Sequence, residues 1–494
     1  MGERREFFSS RWTLILAALG MAIGTGNIWR FPRIAAQNGG GAFLIPWILF
    51  LFLWSIPLII AEFAIGKKTR LGPAGAIGNL IGRQYTWMGA FVAFCTIAIM
   101  FYYSVVMGWC LRYFTAALAG DLSTMSGRAY WDLFQADPAQ TLLFHFLSIS
   151  IGALIIYRGV TRGIETANKI LIPSLAILLL IGMVRALTLP NALQGLQFLF
   201  SPDWSSLLQY KVWLEALSQS AWSTGAGWGL ILTYAVYMRE KEDVVLNSFI
   251  AGFGNNSASL LAGMVIFPAV FALAPALGQS PTDVLAESGP ASTGLTFIWI
   301  PELFQELPGA GFFMSVFFLA LSVAALSSLI AMIELAARVL MDLGWTRKKS
   351  VTFIWIISFV FGIPSAVNMG IFQNQDWVWG VGLILSGFFV AFAANRYGIK
   401  RFREELVNTK GSDLKVGKWY EWILRFFIPI QFVILISWWF YQAITEYDPE
   451  GWWNPAHTFS VGTCIVQWGV VIGLFLMFNN RLYDRIMAVK GETS

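Results

Sequence analysis

Apolar residues in this chain fall in long, nearly continuous runs separated by short polar connectors. A run must hold about 20 residues to cross a ~30 Å hydrocarbon layer. Twelve stretches meet that length: 12–36, 41–66, 87–119, 141–158, 167–188, 213–237, 245–275, 309–342, 350–368, 376–396, 419–446 and 457–480. The pattern predicts an all-α, polytopic membrane protein with no appended soluble domain. Several runs exceed one membrane thickness, which implies tilt or a helical extension outside the bilayer. The longest polar connector runs from Asn395 to Lys418, and the stretch 276–308, with its FIWIPELF core, predicts an ordered loop carrying a short helix.

Composition supports lipid as the solvent. Of 494 residues, 57% are apolar and only 12% charged, about half the charged share of a soluble protein. Mean hydropathy is +0.64, so a soluble α/β enzyme is excluded. Most of the 33 Lys and Arg residues cluster in alternate connectors and at both ends. By the positive-inside bias, both termini face the cytoplasm across a plasma or bacterial inner membrane. The net charge of +5 then belongs to the cytoplasmic face and not to nucleic-acid binding.

Cys95, Cys110 and Cys464 sit in apolar stretches, and His145 and His457 are the only histidines. That leaves almost no material for a zinc site or a cysteine–histidine pair. The start, MGERREFFSSR, lacks the apolar core and cleavage site of a secretory signal. Met-Gly matches an N-myristoylation signal only weakly.

Two apolar runs are interrupted by glycine. GMAIGTGN (Gly20 to Asn27) breaks the first span and STGAGWG (Ser223 to Gly229) the sixth. Each interior glycine costs a helix ~1 kcal/mol relative to alanine. Three within seven residues predict a local break that frees peptide groups at membrane depth, where only protein, water, ion or substrate can satisfy them. Small-residue helix packing explains one such run equally well. Two runs at corresponding places of two five-helix halves point to a midplane binding site.

GNIWRFP, NGGGAF downstream and WSTGAGWGLILTYAVY in the sixth span together resemble the neurotransmitter:sodium symporter family, specifically its bacterial amino-acid branch. The likeness extends over nearly the whole chain. It implies a single transporter domain: two inverted five-helix repeats, 12–188 and 213–396, with two further helices at 419–480. It also implies alternating access driven by two sodium ions. The first sodium site would use Ala22, Asn27, Ser223 and Asn255 with the substrate carboxylate, and the second Gly20, Ile23, Ala324, Ser327 and Ser328. Uncharged oxygens suit a monovalent ion that must also leave. For Ser327 and Ser328 taken alone, back-bonding to a helix carbonyl is the simpler reading.

The same resemblance implies that the substrate carboxylate meets N–H groups near Gly24, Thr25 and Gly26, at the positive end of a half-helix, together with the Tyr103 hydroxyl. Ala22, Ile99, Trp222, Ser223, Gly225, Trp228, Ser328 and Met332 would complete the pocket. Gly24 stands where monoamine carriers have an aspartate, so an amino acid bringing its own carboxylate is favoured over an amine; an amine or osmolyte substrate is the alternative within the family.

Arg30 and Asp376 match the family's outer gate, with Trp222 as an aromatic lid and Ile34 in place of a glutamine. Such a wet ion pair is worth only ~0–1 kcal/mol, so it opens readily. Arg5, Tyr237, Glu334 and Asp342 match the inner gate, with Phe8 where a tryptophan is usual, which implies a looser anchor. Gly163 and Pro173 match the spacing of an unwinding segment in span five. Gln219, Ser223, Asn255 and Ser259 resemble the chloride-dependent pattern, because Ser259 replaces the carboxylate of chloride-independent members; Trp47 stands where that pattern has a tyrosine, and its indole N–H can still donate. Against these readings stand a channel, for which the sequence has no filter repeat; a membrane enzyme, for which Glu62, Glu215 and Glu334 are too isolated; and a receptor that binds without transport.

Overall fold

A computed structural model describes residues 6–288, 294–409 and 412–493. Among these residues every regular element is helical, and the sole strand-type pairing is an isolated bridge between Gly40 and Pro202. The membrane helices are α1 (Arg11–Ala22), α2 (Thr25–Ile28), α3 (Arg30–Gln37), α4 (Gly41–Thr69), α5 (Arg83–Ala119), α6 (Pro138–Tyr157), α7 (Val160–Leu187), α8 (Tyr210–Ser223), α9 (Leu230–Ala235), α10 (Val244–Leu277), α11 (Ala310–Asp342), α12 (Arg347–Val367), α13 (Met369–Val407), α14 (Trp419–Tyr447) and α15 (Val461–Gly491). Ten of these are long and apolar enough to cross a membrane, and the bent pair Arg11–Ala22 and Thr25–Gln37 makes an eleventh. The run 213–237 is present as two short helices, α8 and α9, separated by residues 224–229.

Helix starts follow local chemistry. Ser10 and Thr13 form a reciprocal capping box at α1. Asp137 caps α6, Asp243 caps α10 and Asn368 caps α13, each by accepting a backbone N–H of the first turn. The stretch 276–308 does carry short helices, Pro281–Ala286 and Ile300–Gln305.

Burial separates centre from rim. The most apolar stretches of α5, α11 and α13 are 78–83% buried, whereas those of α7 and α15 are 22% buried. The outer helices therefore turn apolar side chains such as Ile177, Val184, Val470 and Met477 outward, which is stable only against lipid. Helix α1 packs on α7, α10 and α11 in the interior, and its break consequently lies inside protein.

Candidate functional site

The first break falls at Ile23 and Gly24, both in extended conformation, and turns the chain by 64°. The second occupies residues 224–229, where Gly225, Gly227 and Gly229 all have positive φ, between 68° and 86°. An L side chain is disfavoured in that region. At Gly227 it is also sterically impossible, since a Cβ would lie 2.5 Å from the Cα of Gly387. The freed peptide groups find partners. Glu62 Oε1 accepts the Gly229 N–H at 2.5 Å, and the Thr96 hydroxyl donates to the Trp228 carbonyl at 2.6 Å. Glu62 thus partners a peptide group of the second break, a contact its isolation in an apolar run did not reveal.

Between the two breaks lies a cavity of about 750 Å³. All twelve residues expected around the substrate line it: Ala22, Gly24, Thr25, Gly26, Ile99, Tyr103, Trp222, Ser223, Gly225, Trp228, Ser328 and Met332. Tyr102, Val106, Phe372 and Val381 line it as well and were not singled out in the sequence. On the cavity wall the Thr25 N–H and hydroxyl lie 3.4 and 3.3 Å from the Tyr103 hydroxyl. Gly24 is tightly enclosed, since a Cβ there would sit 2.9 Å from Ser328 Oγ and 3.2 Å from the Tyr103 hydroxyl.

The residues expected at the first sodium site converge. Asn27 Nδ2 lies 3.3 Å from Ser223 Oγ, 2.8 Å from Asn255 Oδ1 and 2.8 Å from Ser259 Oγ, while its own oxygen accepts the Gly24 N–H at 2.9 Å. Asn27 therefore offers this cluster a donor, and an oxygen only after its amide turns over. One amide atom of Asn255 is 3.0 Å from the carbonyl oxygens of both Ala22 and Ser223. As nitrogen it donates to both; as oxygen it completes a group of three oxygens that a cation would bridge. At the second expected site, Ser327 Oγ lies 3.3 Å from the Ile23 carbonyl and 2.9 Å from that of Ala324, and Ser328 Oγ lies 3.3 Å from that of Met21. Gly20 is one helical turn before Ile23 on α1.

Among the residues matching the chloride pattern, Ser223, Asn255 and Ser259 belong to the Asn27 cluster. Trp47 Nε1 and both amide atoms of Gln219 are buried without hydrogen-bond partners. Other buried groups, such as the Trp54 and Trp109 indoles and the Tyr234 hydroxyl, are unpartnered as well, and Gln219 also lines the cavity.

The two ends of the cavity differ. At one end Arg30 makes no ion pair with Asp376. It donates to Ser218 Oγ at 3.4 Å and stacks over Trp222 at 4.9 Å, and the cavity runs past it to Gln37, Lys211 and Phe459. Trp222 fits a notch at Gly380, where a Cβ would come within 2.1 Å of the indole. Ile34 also lines this entrance.

The opposite end is closed. Glu334 accepts hydrogen bonds from Tyr237 and from Arg347, the latter at 2.6 Å, and Arg347 also pairs with Glu6 at 2.8 Å. Asp342 pairs with Arg338 at 2.7 Å and accepts the Gly72 N–H at 2.7 Å. Arg5, expected here, lies outside the described residues. Phe8 is fully enclosed, with its ring edge-on to Tyr234 and Tyr237 and its N–H bonded to the Tyr237 carbonyl at 3.1 Å, so the smaller ring still anchors the segment. Arg347, Glu6 and Glu165 were not read from the sequence; Arg347 looked like one of several connector cations. Gly163 lies in a π-helical turn, Val160–Glu165, and Pro173 lies inside the helix that follows.

Residues 5–141 and 139–483 match the model of the sodium:neurotransmitter symporter family. The chain is 33% identical to the sodium-dependent transporter MJ1319 of Methanocaldococcus jannaschii, over 86% of this chain and 88% of that one. It is 29% identical to the sodium-dependent transporter YhdH of Bacillus subtilis, over 88% and 98%. Among solved structures it resembles that of MhsT in complex with L-phenylalanine, with a TM-score of 0.76 and 32% identity, over 88% of this chain and 99% of that one.

Proposed function

Because this chain belongs to the sodium:neurotransmitter symporter family, we propose that it imports a neutral, mostly apolar amino acid together with sodium by alternating access. It is a sodium-dependent membrane transporter and not an enzyme; the substrate and the site assignments are our reading.

One observation carries the amino-acid reading: the Thr25 N–H and the Tyr103 hydroxyl face each other at 3.4 Å on the cavity wall, beside a glycine that leaves no carboxylate of the protein's own. A substrate carboxylate takes both donors and benefits from the N-terminal end of the segment Thr25–Gln37. Ile99, Trp228 and Met332 offer apolar surface to its side chain, and the phenylalanine bound by MhsT agrees with that chemistry.

In this reading sodium ions use the Ala22, Asn27, Ser223 and Asn255 cluster and the Gly20, Ile23, Ala324, Ser327 and Ser328 cluster. Residues 12–188 and 213–396 form two inverted repeats with 419–480 outside both, and both termini face the cytoplasm. The cavity is then open outward and closed inward. The purified protein should gain thermal stability from apolar amino acids only when sodium is present, because a ligand bound to the folded state alone raises its melting temperature. Stabilisation by monoamines, or by amino acids equally well in potassium, would overturn the assignment.

We read chloride as a second co-ion from the family pattern, since Ser259 supplies no carboxylate and the Gln219 amide, which lines the cavity, can donate to an anion. Sodium-driven uptake unchanged when gluconate replaces chloride would remove this reading.

A further inference from the structure

Asn168, on α7, is fully buried, and its amide nitrogen donates to the Ile164 carbonyl at 2.9 Å. That bond fixes which way the amide points. Its Oδ1 has no hydrogen-bond partner and is aimed at Gly20 of α1, where a Cβ would lie 2.0 Å from it. Gly20 stands in the last turn of α1, which ends at Ala22, so the unpartnered oxygen of Asn168 lies beside the turn whose carbonyls lose their helical partners at the break. A buried acceptor without a partner marks a place for a donor or a cation. Three residues further along the chain, at the break, the Ile23 carbonyl lies 3.3 Å from Ser327 Oγ, which bonds the Ala324 carbonyl at 2.9 Å.

We infer that Asn168 supplies a further oxygen to the sodium held by Gly20, Ile23, Ala324 and Ser327, which extends that site onto α7; this rests on the sodium reading proposed above. The position also couples the ion to the closed end. Three residues earlier, Glu165 accepts from the Ser9 N–H at 2.5 Å and from its hydroxyl at 2.6 Å, and the Val160 N–H donates to Glu6 at 3.3 Å. Release of the N-terminal segment from Glu165 therefore frees the turn that holds Asn168 against Gly20, and the ion loses one oxygen as its exit opens.

The test titrates sodium against thermal stability of the purified full-length protein, at a fixed concentration of the most stabilising amino acid. Asn168→Leu, which keeps the branching at Cγ and removes the oxygen, should raise the half-saturating sodium concentration about tenfold or more. Asn168→Asp should keep or lower it, and the sodium-free melting temperatures should stay close to wild type. Ser327→Ala is measured alongside. A wild-type sodium response in Asn168→Leu with a shifted one in Ser327→Ala means that Asn168 only packs on Gly20, and the inference fails. A wild-type response in both means that the sodium site itself was misread. If Asn168→Leu does not fold, Asn168→Ala and Asn168→Asp carry the comparison, and equal sodium responses in those two overturn the inference.

Discussion

Arg347 Nη1 lies 2.6 Å from Glu334 Oε2, with both side chains buried and a second guanidinium nitrogen 3.2 Å from the Tyr237 hydroxyl. The same molecule leaves Arg30 stacked on Trp222 and unpaired with Asp376. One end is latched while the other is open, the arrangement that the alternating access proposed above calls for in a single state.

Removing one member of a buried pair leaves an uncompensated charge, at a cost of about 3–5 kcal/mol. Arg347→Ala should therefore loosen the latch. Hydrogen exchange of the segment 6–22 should rise at least about tenfold, since Glu6 loses Arg347 as well. Exchange at the wild-type rate would mean that the pair does not hold this end shut.

Tyr103→Phe deletes the hydroxyl beside Thr25. A hydrogen bond to a charged group contributes about 1.5–3 kcal/mol, so sodium-dependent amino-acid affinity should fall about ten- to a hundredfold, with little change in ligand-free melting temperature. Equal affinities in isothermal titration would place the carboxylate elsewhere.

Gly380→Ala puts a Cβ into the indole of Trp222. Uptake should slow several-fold, because the lid can no longer seat, and Trp222→Phe in the same protein should restore part of the rate. No rescue in the double variant would mean that Gly380 acts on something other than this ring.

Ser259→Glu supplies within the Asn27 cluster the negative charge assigned to chloride. The variant should transport in gluconate as fast as in chloride, while the wild type slows. A variant that still requires chloride would refute the assignment of Ser259.

Much of this arrangement could be read from the sequence, because its causes are local. Long apolar runs dictate membrane helices, and clustered glycines dictate the two breaks. The break in the first span nevertheless falls at Ile23 and Gly24 rather than across the whole glycine run, since α1 stays helical through Ala22. Residues that act across long separations and lie outside the motifs of the family resemblance were not legible. Glu62 reaches Gly229 over 167 positions, Arg347 depends on Glu6 and Glu334 being brought together, and Asn168 gains meaning only where α7 meets Gly20. Gly380 gave no signal, because the ring it accommodates comes from another helix. The gate residues Arg30 and Asp376 were legible as positions but not as a state, since whether they touch depends on how far the cavity has closed.

The most direct test of sodium-coupled amino-acid import is uptake of a radiolabelled apolar amino acid into proteoliposomes under an inward sodium gradient. The internal concentration should rise above the external one and then collapse when a sodium ionophore dissipates the gradient. Uptake that merely equilibrates, or that is the same with potassium in place of sodium, would contradict it.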